Sequence, residues 1–402
     1  MNLFFIILFS IPCLAIMWWV WAHSNLGKFG RARVWRTLLA VWCGVMLAGY
    51  VWVVGMRAEL WDSSPPLLWL TPTFIWTMVV FPGCLFASVP LVLGDRVAQL
   101  ARRRRVREPA ATTSGATPPA PDWRGRRAFL GTLIAAPPAL TIMGSAKALA
   151  EMDSFRVRRI DVPFDALPRD LDGVTIAQLA DIHVGHFSSE KLLRRISDVT
   201  NSLKPDIVLS TGDLIDHALA DLPAGAATLN RTSAPYGVYV CEGNHDLFES
   251  RKKFAAGLAQ AGVPLIQNDR RVISIRGVPV ELLGLCWGRT DRPRSGAELA
   301  YNTDRLFGGK RAGEFSILLA HHPHSFDAAA EAGVDLTLSG HTHGGQINPL
   351  PGMRPISLMY KYISGLYSEG KSRLVVSNGI GNWFPIRLNA PAEIVLVTLR
   401  RA

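Results

Sequence analysis

Apolar and polar residues alternate very differently in the two parts of the chain. Asn2–Ala22, Thr37–Met56 and Leu67–Leu93 carry no formal charge and are rich in Leu, Val, Phe and Trp. Each run is near or above the ~20 residues an α-helix needs to cross a ~30 Å hydrocarbon core. A fourth, weaker run, Ala128–Ala150, has Pro137–Pro138 in its middle and Lys147 near its end. After Met152 the pattern breaks into short apolar runs separated by amphipathic ones. "VTIAQLAD" (Val174–Asp181), "DIVLSTGD" (Asp206–Asp213), "YGVYVCEGNHD" (Tyr236–Asp246), "FSILLAHHP" (Phe315–Pro323) and "VDLTLSGHTH" (Val334–His343) predict buried strands. "SSEKLLRRISDVTNSLK" predicts a helix with a serine N-cap and Leu192, Leu193, Ile196 and Val199 on one face. "VISIRGVPVELLGL" (Val272–Leu285) predicts a hairpin. Strands mixed with helices in this order point to an α/β sandwich with a mixed sheet.

The expected organisation is three transmembrane helices in residues 1–94 and a basic, Pro/Ala-rich linker in 95–127. A fourth hydrophobic segment follows at 128–150, then a folded domain at 151–402. Nine of the twelve tryptophans precede residue 94, several at the ends of the apolar runs, as an interfacial belt would have them. The linker stretch "REPAATTSGATPPAPDW" has no apolar period.

Charge refines this picture. The net charge of +11 is carried almost wholly by residues 1–150, at +10, leaving +1 on the rest. A nucleic-acid binder would carry its basic surface on the folded domain, so that partner is set aside. The loop His23–Arg36 has four basic residues and the linker Arg96–Arg127 nine arginines. The positive-inside rule puts both in the cytoplasm. The expected side for the domain is extracytoplasmic, with 128–150 as a further span; if that segment does not span, the domain is cytoplasmic. "GRRAFLGTLIAA" followed by "AKALA" resembles a twin-arginine export signal, and it reads equally as an arginine-flanked anchor helix. The five cysteines form no disulfide framework or zinc-knuckle spacing. No P-loop and no nucleophile elbow occur.

Each of the five expected strands ends in residues able to bind metal. In order these are Asp181 and His183, Asp213 and Asp216, Asn244–Asp246, His321 and His322, then His341 and His343. Nine of the ten histidines lie between His183 and His343. Ligand sites in open α/β sheets lie beyond the carboxyl ends of strands, where these side chains would converge.

The series D-x-H, G-D-x-x-D, G-N-H-D, H and G-H-x-H resembles the calcineurin-like metallophosphoesterases, in particular a membrane-associated bacterial branch. The likeness covers roughly Val174–Leu399. It includes the tail "SNGIGNWFPIRLNAPAEIVLVTL", which departs from the branch in having Asn378–Gly379 where arginine and glycine are usual. The resemblance implies a four-layer α/β/β/α sandwich preceded by the α-helical transmembrane region. It also implies two divalent ions, of Mn, Fe or Zn. Asp181, His183 and His343 would hold one, and Asn244, His321 and His341 the other, with Asp213 bridging. Carboxylate, amide and imidazole ligands without thiolate suit such metals. Two adjacent ions would activate a water as hydroxide and offset phosphoryl charge. His245 would protonate the leaving oxygen, with Asp246 orienting it and Asp216 backing a histidine ligand.

The expected function is therefore a membrane-anchored, dinuclear-metal-dependent phosphoesterase of the bacterial cell membrane. Phosphodiesters, including lipid-linked or envelope ones, are the favoured substrates. One alternative is hydrolysis of the UDP-2,3-diacylglucosamine pyrophosphate in lipid A synthesis, which requires cytoplasmic access. Another is a non-catalytic membrane protein that binds a phosphorylated ligand. His186 and His217 are candidates for substrate contact.

Overall fold

The central strands of the C-terminal part are buried on both faces because both faces are covered. In the computed structural model, residues 32–57, 65–81, 123–288, 314–348 and 359–402 are described, with Gly83, Gly94, Val97, Leu100, Leu306, Phe307 and Gly352 between them. The chain divides into two units at Leu149/Ala150.

In unit 1, helix α1 covers Ala32–Arg57 and α2 Leu67–Ile75, the latter continuing into a wider π-type turn over Trp76–Val80. Tryptophans join α1 to this second segment: Trp52 meets Trp69 edge-on at 5.3 Å, and Trp42 meets Trp76 at 5.9 Å. Gly49 permits the close crossing, since a Cβ there would run into Thr73 and Trp69. Apolar side chains of α1 are also exposed, at Leu38, Val41, Val45 and Val51. Helix α3, Trp123–Glu151, begins inside the stretch expected to be linker and continues through Pro137–Pro138. The Thr141 hydroxyl donates to the Pro137 carbonyl and Ser145 to that of Thr141, so hydroxyls serve carbonyls in the turns after the prolines.

Among the described residues no helix is long and apolar enough to cross a membrane. The run Asn2–Ala22, most of the linker, and Leu67–Leu93 beyond Phe81 (Gly83 apart) lie outside those residues. So do the side chains of Val54 and Met56 in α1. The expected spans therefore rest on sequence.

Unit 2 is built on two sheets. The first has strands β1 (Arg156–Phe164), β2 (Thr175–Leu179), β3 (Ile207–Thr211), β4 (Val238–Cys241) and β11 (Glu393–Arg401), in the order β1-β11-β2-β3-β4. The second has β5 (Asp269–Ile275), β6 (Val278–Leu285), β7 (Phe315–Ala320), β8 (Leu336–Ser339), β9 (Gly365–Glu369) and β10 (Ser372–Val376), in the order β5-β6-β7-β8-β10-β9. Strands β2, β3 and β4 run parallel, as do β6, β7, β8 and β10, with antiparallel partners toward the edges.

Alternation along each strand separates two cores. Ile176, Ile207 and Leu209 of the first sheet face Leu282, Ile317, Leu319 and Leu338 of the second in the central layer. Ala177, Leu179, Val208 and Val240 point the other way, onto helices α4 (Glu190–Ser202), α5 (Leu222–Asn230) and α6 (Arg251–Gln260). Behind the second sheet, Leu318 and Ala320 pack with Leu306 and Ala329, while Leu374 and Val376 pack with Phe326 of helix α7 (Ser325–Glu331). The result is the mixed α/β sandwich in four layers.

The expected helix is α4, capped by the Ser189 hydroxyl on the Leu192 N–H, a bond worth about 1 kcal/mol. The hairpin is β5–β6. The five expected strands are β2, β3, β4, β7 and β8, each stopping one to five residues short of its polar ending. That shortfall matters, because the chemistry sits on the loops and not on the ladders.

Candidate metal centre

Five strands end on one edge of the sandwich, and their following loops turn abruptly inward. Asp181, His183, Asp213, His341 and His343 all have φ between 47° and 72°, in the left-handed region. A non-glycine residue costs about 1–2 kcal/mol there, so five together mark a surface folded for chemistry at the expense of stability. Glycines provide the clearance. At Gly340 a Cβ would collide with the Asp181 carboxylate, and Gly379 (φ 74°) approaches the same residue from the other side. Backbone bonds lock the loops together: Asp181 N–H donates to Gly212 O, and His183 N–H donates to Asp213 O. Beneath them, buried Gln178 of β2 donates to the Ser339 carbonyl of β8, tying the two sheets at the floor of the site.

The side chains converge in two clusters around one oxygen. On one side, His183 Nε2 lies 3.1 Å from His343 Nε2 and 3.9 Å from Asp181 Oδ1, while His343 Nε2 is 3.3 Å from Asp181 Oδ1. On the other, His321 Nε2 lies 3.3 Å from His341 Nδ1, which is 3.0 Å from Asn244 Oδ1. Asp213 Oδ2 stands between, 3.6 Å from His183 Nε2 and 3.1 Å from His321 Nε2. Its Oδ1 is occupied by the His245 N–H at 2.8 Å, so Oδ2 is the oxygen left to face both clusters.

This donor set fits divalent cations. Asp181, His183 and His343, and separately Asp213, His321 and His341, each present one ligand atom within 4.8 Å of the others. Burial together with neighbouring cationic groups (His321 for one, Arg387 for the other) holds His341 and His343 well below the ordinary histidine range, keeping lone pairs available. Burial pushes the Asp181 carboxyl up, and the nearby Asp213 charge adds to it. Asp213 itself sits well below the usual range, because His321 and His245 outweigh its burial. His321 Nδ1–H donates to Thr211 O at 2.8 Å, which turns its Nε2 inward.

His245 follows Asn244 on the β4 loop, with its ring centroid 4.5 Å from that of His183. Nδ1–H donates to the Asp216 carbonyl at 2.6 Å, and the Asp216 carboxylate is 3.3 Å away. Despite burial, Asp213 and Asp216 raise this imidazole to about 9. Asp246 faces the other way: its carboxylate accepts from the N–H groups of Gly243, Asp213 and Ile215. The orienting role expected of Asp246 therefore belongs by position to Asp216, and Asp246 instead braces the loop that carries Asp213. Asp216 Oδ1 also comes within 3.4 Å of His183 Nδ1, a long approach rather than a hydrogen bond.

Several residues at the centre carry no motif. The Tyr360 hydroxyl lies 3.1 Å from His341 Nε2. Trp287 packs over His321, His322 and His341, and its backbone N–H donates to buried Glu242, which also pairs with Arg251. Arg387 Nη2 lies 2.9 Å from His343 Nδ1 and 2.6 Å from Gly381 O, with further bonds to Asn382 and to the carbonyl of Asn378. A cation at His343 Nε2 needs the proton on Nδ1, so Nη2 would then be left with the Gly381 carbonyl. Asn378 reaches Ser364 and the Pro391 carbonyl with its side chain. His186 and His217 are exposed, outside both clusters, though the His217 ring lies 5.3 Å from that of Phe248. His322 flanks the site, its ring 4.9 Å from that of His341.

Comparison with known proteins agrees with this geometry. The model of the calcineurin-like phosphoesterase family matches residues 174–345. The metallophosphoesterase YkuE of Bacillus subtilis is 32% identical over 246 residues, 58% of this chain and 82% of its own length. The chain belongs to the calcineurin-like phosphoesterases. A metallophosphoesterase of Campylobacter jejuni is 34% identical over 61% of this chain, and the match spans 63% of that relative, a little under two thirds. A zebrafish (Danio rerio) transmembrane protein with a metallophosphoesterase domain is 27% identical over 92% of this chain and 81% of its own. Relatives thus come from animals as well as bacteria, and the likeness does not single out a bacterial branch.

Proposed function

We propose that this calcineurin-like phosphoesterase is a membrane-anchored, dinuclear-metal-dependent hydrolase of phosphodiesters. The observation that carries the reading is the position of Asp213 Oδ2 between two clusters of imidazole, amide and carboxylate groups. Asp181, His183 and His343 would hold one ion; Asn244, His321 and His341 the other; Asp213 would serve both. Bound there, divalent ions supply hydroxide from water at neutral pH and offset the charge of the phosphoryl oxygens. The chain's own residues do the rest. Asp216 fixes Nδ1 of His245, leaving Nε2 to hand a proton to the departing oxygen. Asp246 holds the Asp213 backbone so that its carboxylate cannot drift from either cluster. No ligand position of the series is missing, which favours catalysis over simple binding of a phosphorylated partner.

Anchoring is supported by the charge-free runs before residue 94, by the exposed apolar side chains of α1, and by the zebrafish relative described as a transmembrane protein. The arginine-rich loops favour a cytoplasmic linker, and a spanning 128–150 segment would put the domain outside the cytoplasm. The full chain would be assayed with bis(p-nitrophenyl) phosphate and p-nitrophenyl phosphate, chelated and then given Mn²⁺, beside Asp213→Asn. Metal-restored turnover of the diester that the variant lacks is the expected result. A folded, metal-loaded protein inert to both esters would remove the general hydrolase reading.

A further inference from the structure

Few large apolar side chains are exposed on unit 2, and they are not scattered evenly. Among its described residues they are Phe248, Val272, Met359, Leu366 and Trp383. Val272 and Leu366 belong to the edge strands β5 and β9. The other three lie at the metal centre or beside it in sequence. Phe248 is 46% exposed, and its ring centroid is 4.6 Å from that of His245. Trp383 is 37% exposed, 6.3 Å from His245 and 6.4 Å from His343. Met359, 73% exposed, directly precedes the Tyr360 that touches His341.

The two aromatic residues come from different loops. Phe248 closes the short turn His245–Leu247, and Trp383 stands in the loop that Arg387 clasps to His343. Both loops bring their rings to the same imidazole. Wet aromatic surface beside a reaction centre is the surface a ligand's apolar part covers best. Arg387, the guanidinium at this edge, is half-buried and, even with His343 Nδ1 protonated, keeps Asn382 and the carbonyls of Asn378 and Gly381 as partners. It is poorly placed to welcome the extra phosphates of a nucleotide leaving group.

We infer that Phe248 and Trp383 form an apolar subsite for the leaving group, and that the natural substrate is a phosphoester whose departing alcohol carries an alkyl or acyl chain. The leaving-group assignment rests on the proposed role of His245. The P–O bond to that alcohol breaks, water supplies the new oxygen, and the alcohol departs with the proton from His245.

The full chain in lipid nanodiscs, loaded with Mn²⁺, would be titrated calorimetrically with hexyl phosphate and with methyl phosphate, against empty-disc blanks. Hexyl phosphate should bind about tenfold more tightly, as burial of two of its extra methylenes would give. In the double variant Phe248→Ala/Trp383→Ala that ratio should fall toward one, and Phe248→Leu/Trp383→Phe should retain most of it. Equal binding by the unsubstituted protein, or a ratio untouched by the alanine pair, would overturn the subsite. Turnover of bis(p-nitrophenyl) phosphate, measured on the same samples, separates the two readings. A preserved ratio without turnover upholds the apolar subsite and sinks the hydrolase, whereas turnover without a ratio does the reverse.

Discussion

The two clusters that share Asp213 use similar ligands but differ in access to solvent. Asp181 and His183 are wholly buried, and His343 is 3% exposed. In the other cluster His321 is buried, but Asn244 and His341 are only half-buried and Tyr360 lies at the margin. A buried donor set loses its ion slowly, since water must enter before any ligand can leave. An open one exchanges readily and offers a position to substrate. Under the proposed two-ion reading, the Asp181–His183–His343 half would retain its ion and the Asn244–His321–His341 half would be the one open to the phosphoryl group.

The harshest test removes what the halves share. In Asp213→Asn the anionic oxygen between the clusters becomes an amide, so both should weaken together. Turnover of bis(p-nitrophenyl) phosphate should fall by at least about 1,000-fold, and bound manganese, measured by elemental analysis, should drop below one per chain. Retention of two ions would mean that the clusters do not depend on Asp213.

Single-sided variants sharpen the contrast. His343→Ala and His341→Ala should each cost one ion and each lower turnover by about 100-fold or more. Their residual metal should behave differently, though. The ion kept in His341→Ala lies in the buried half and should resist a chelator for longer than the ion kept in His343→Ala. Equal stripping times would remove the proposed asymmetry.

This asymmetry could not have been read along the chain. The strand-end residues were legible, because a buried apolar run ending in Asp, Asn or His has few other uses than a site beyond a sheet. The sheets were legible as strands but not as two layers. A strand buried on both faces reads as one continuous apolar run, so Leu209 and Val208 look alike although they face opposite cores. The supporting residues were hidden for another reason. Arg387 meets His343 across 44 positions and Glu242 holds the Trp287 backbone N–H across 45, and neither lies in a recognisable spacing. Asp246 was misjudged because adjacency in "NHD" suggested contact with His245. The turn His245–Leu247 instead points successive side chains apart, sending Asp246 beneath the loop. The left-handed φ at Asp181, His183, Asp213, His341 and His343 leaves only a faint trace in residue type: none is glycine, and Asp and His, though enriched at positive φ, mostly adopt other conformations.

His245 tests whether proton delivery is separable from metal binding. His245→Gln keeps a polar side chain of similar reach but cannot donate from a cationic ring. Turnover of an alkyl phosphodiester should fall by about 100-fold, with metal content unchanged. The loss should shrink for a p-nitrophenyl leaving group, which departs without a proton. An equal loss for both leaving groups would place His245 in binding instead.

The smallest effect is expected at Asp216, which touches both His245 and the neighbourhood of His183. Asp216→Asn keeps the backbone carbonyl that accepts from His245 Nδ1 and removes only the carboxylate charge 3.3 Å away. The imidazole should stay in place but hold its proton less firmly, because one of the carboxylates that raise it is gone. About a tenfold fall in kcat is expected, with KM and manganese content nearly unchanged. The limb of the pH–rate profile on which activity falls as His245 loses its proton should move to lower pH. If the variant instead loses an ion, the long approach of Asp216 to His183 contributes more to the buried half than to the acid, and the contrast between the halves becomes steeper.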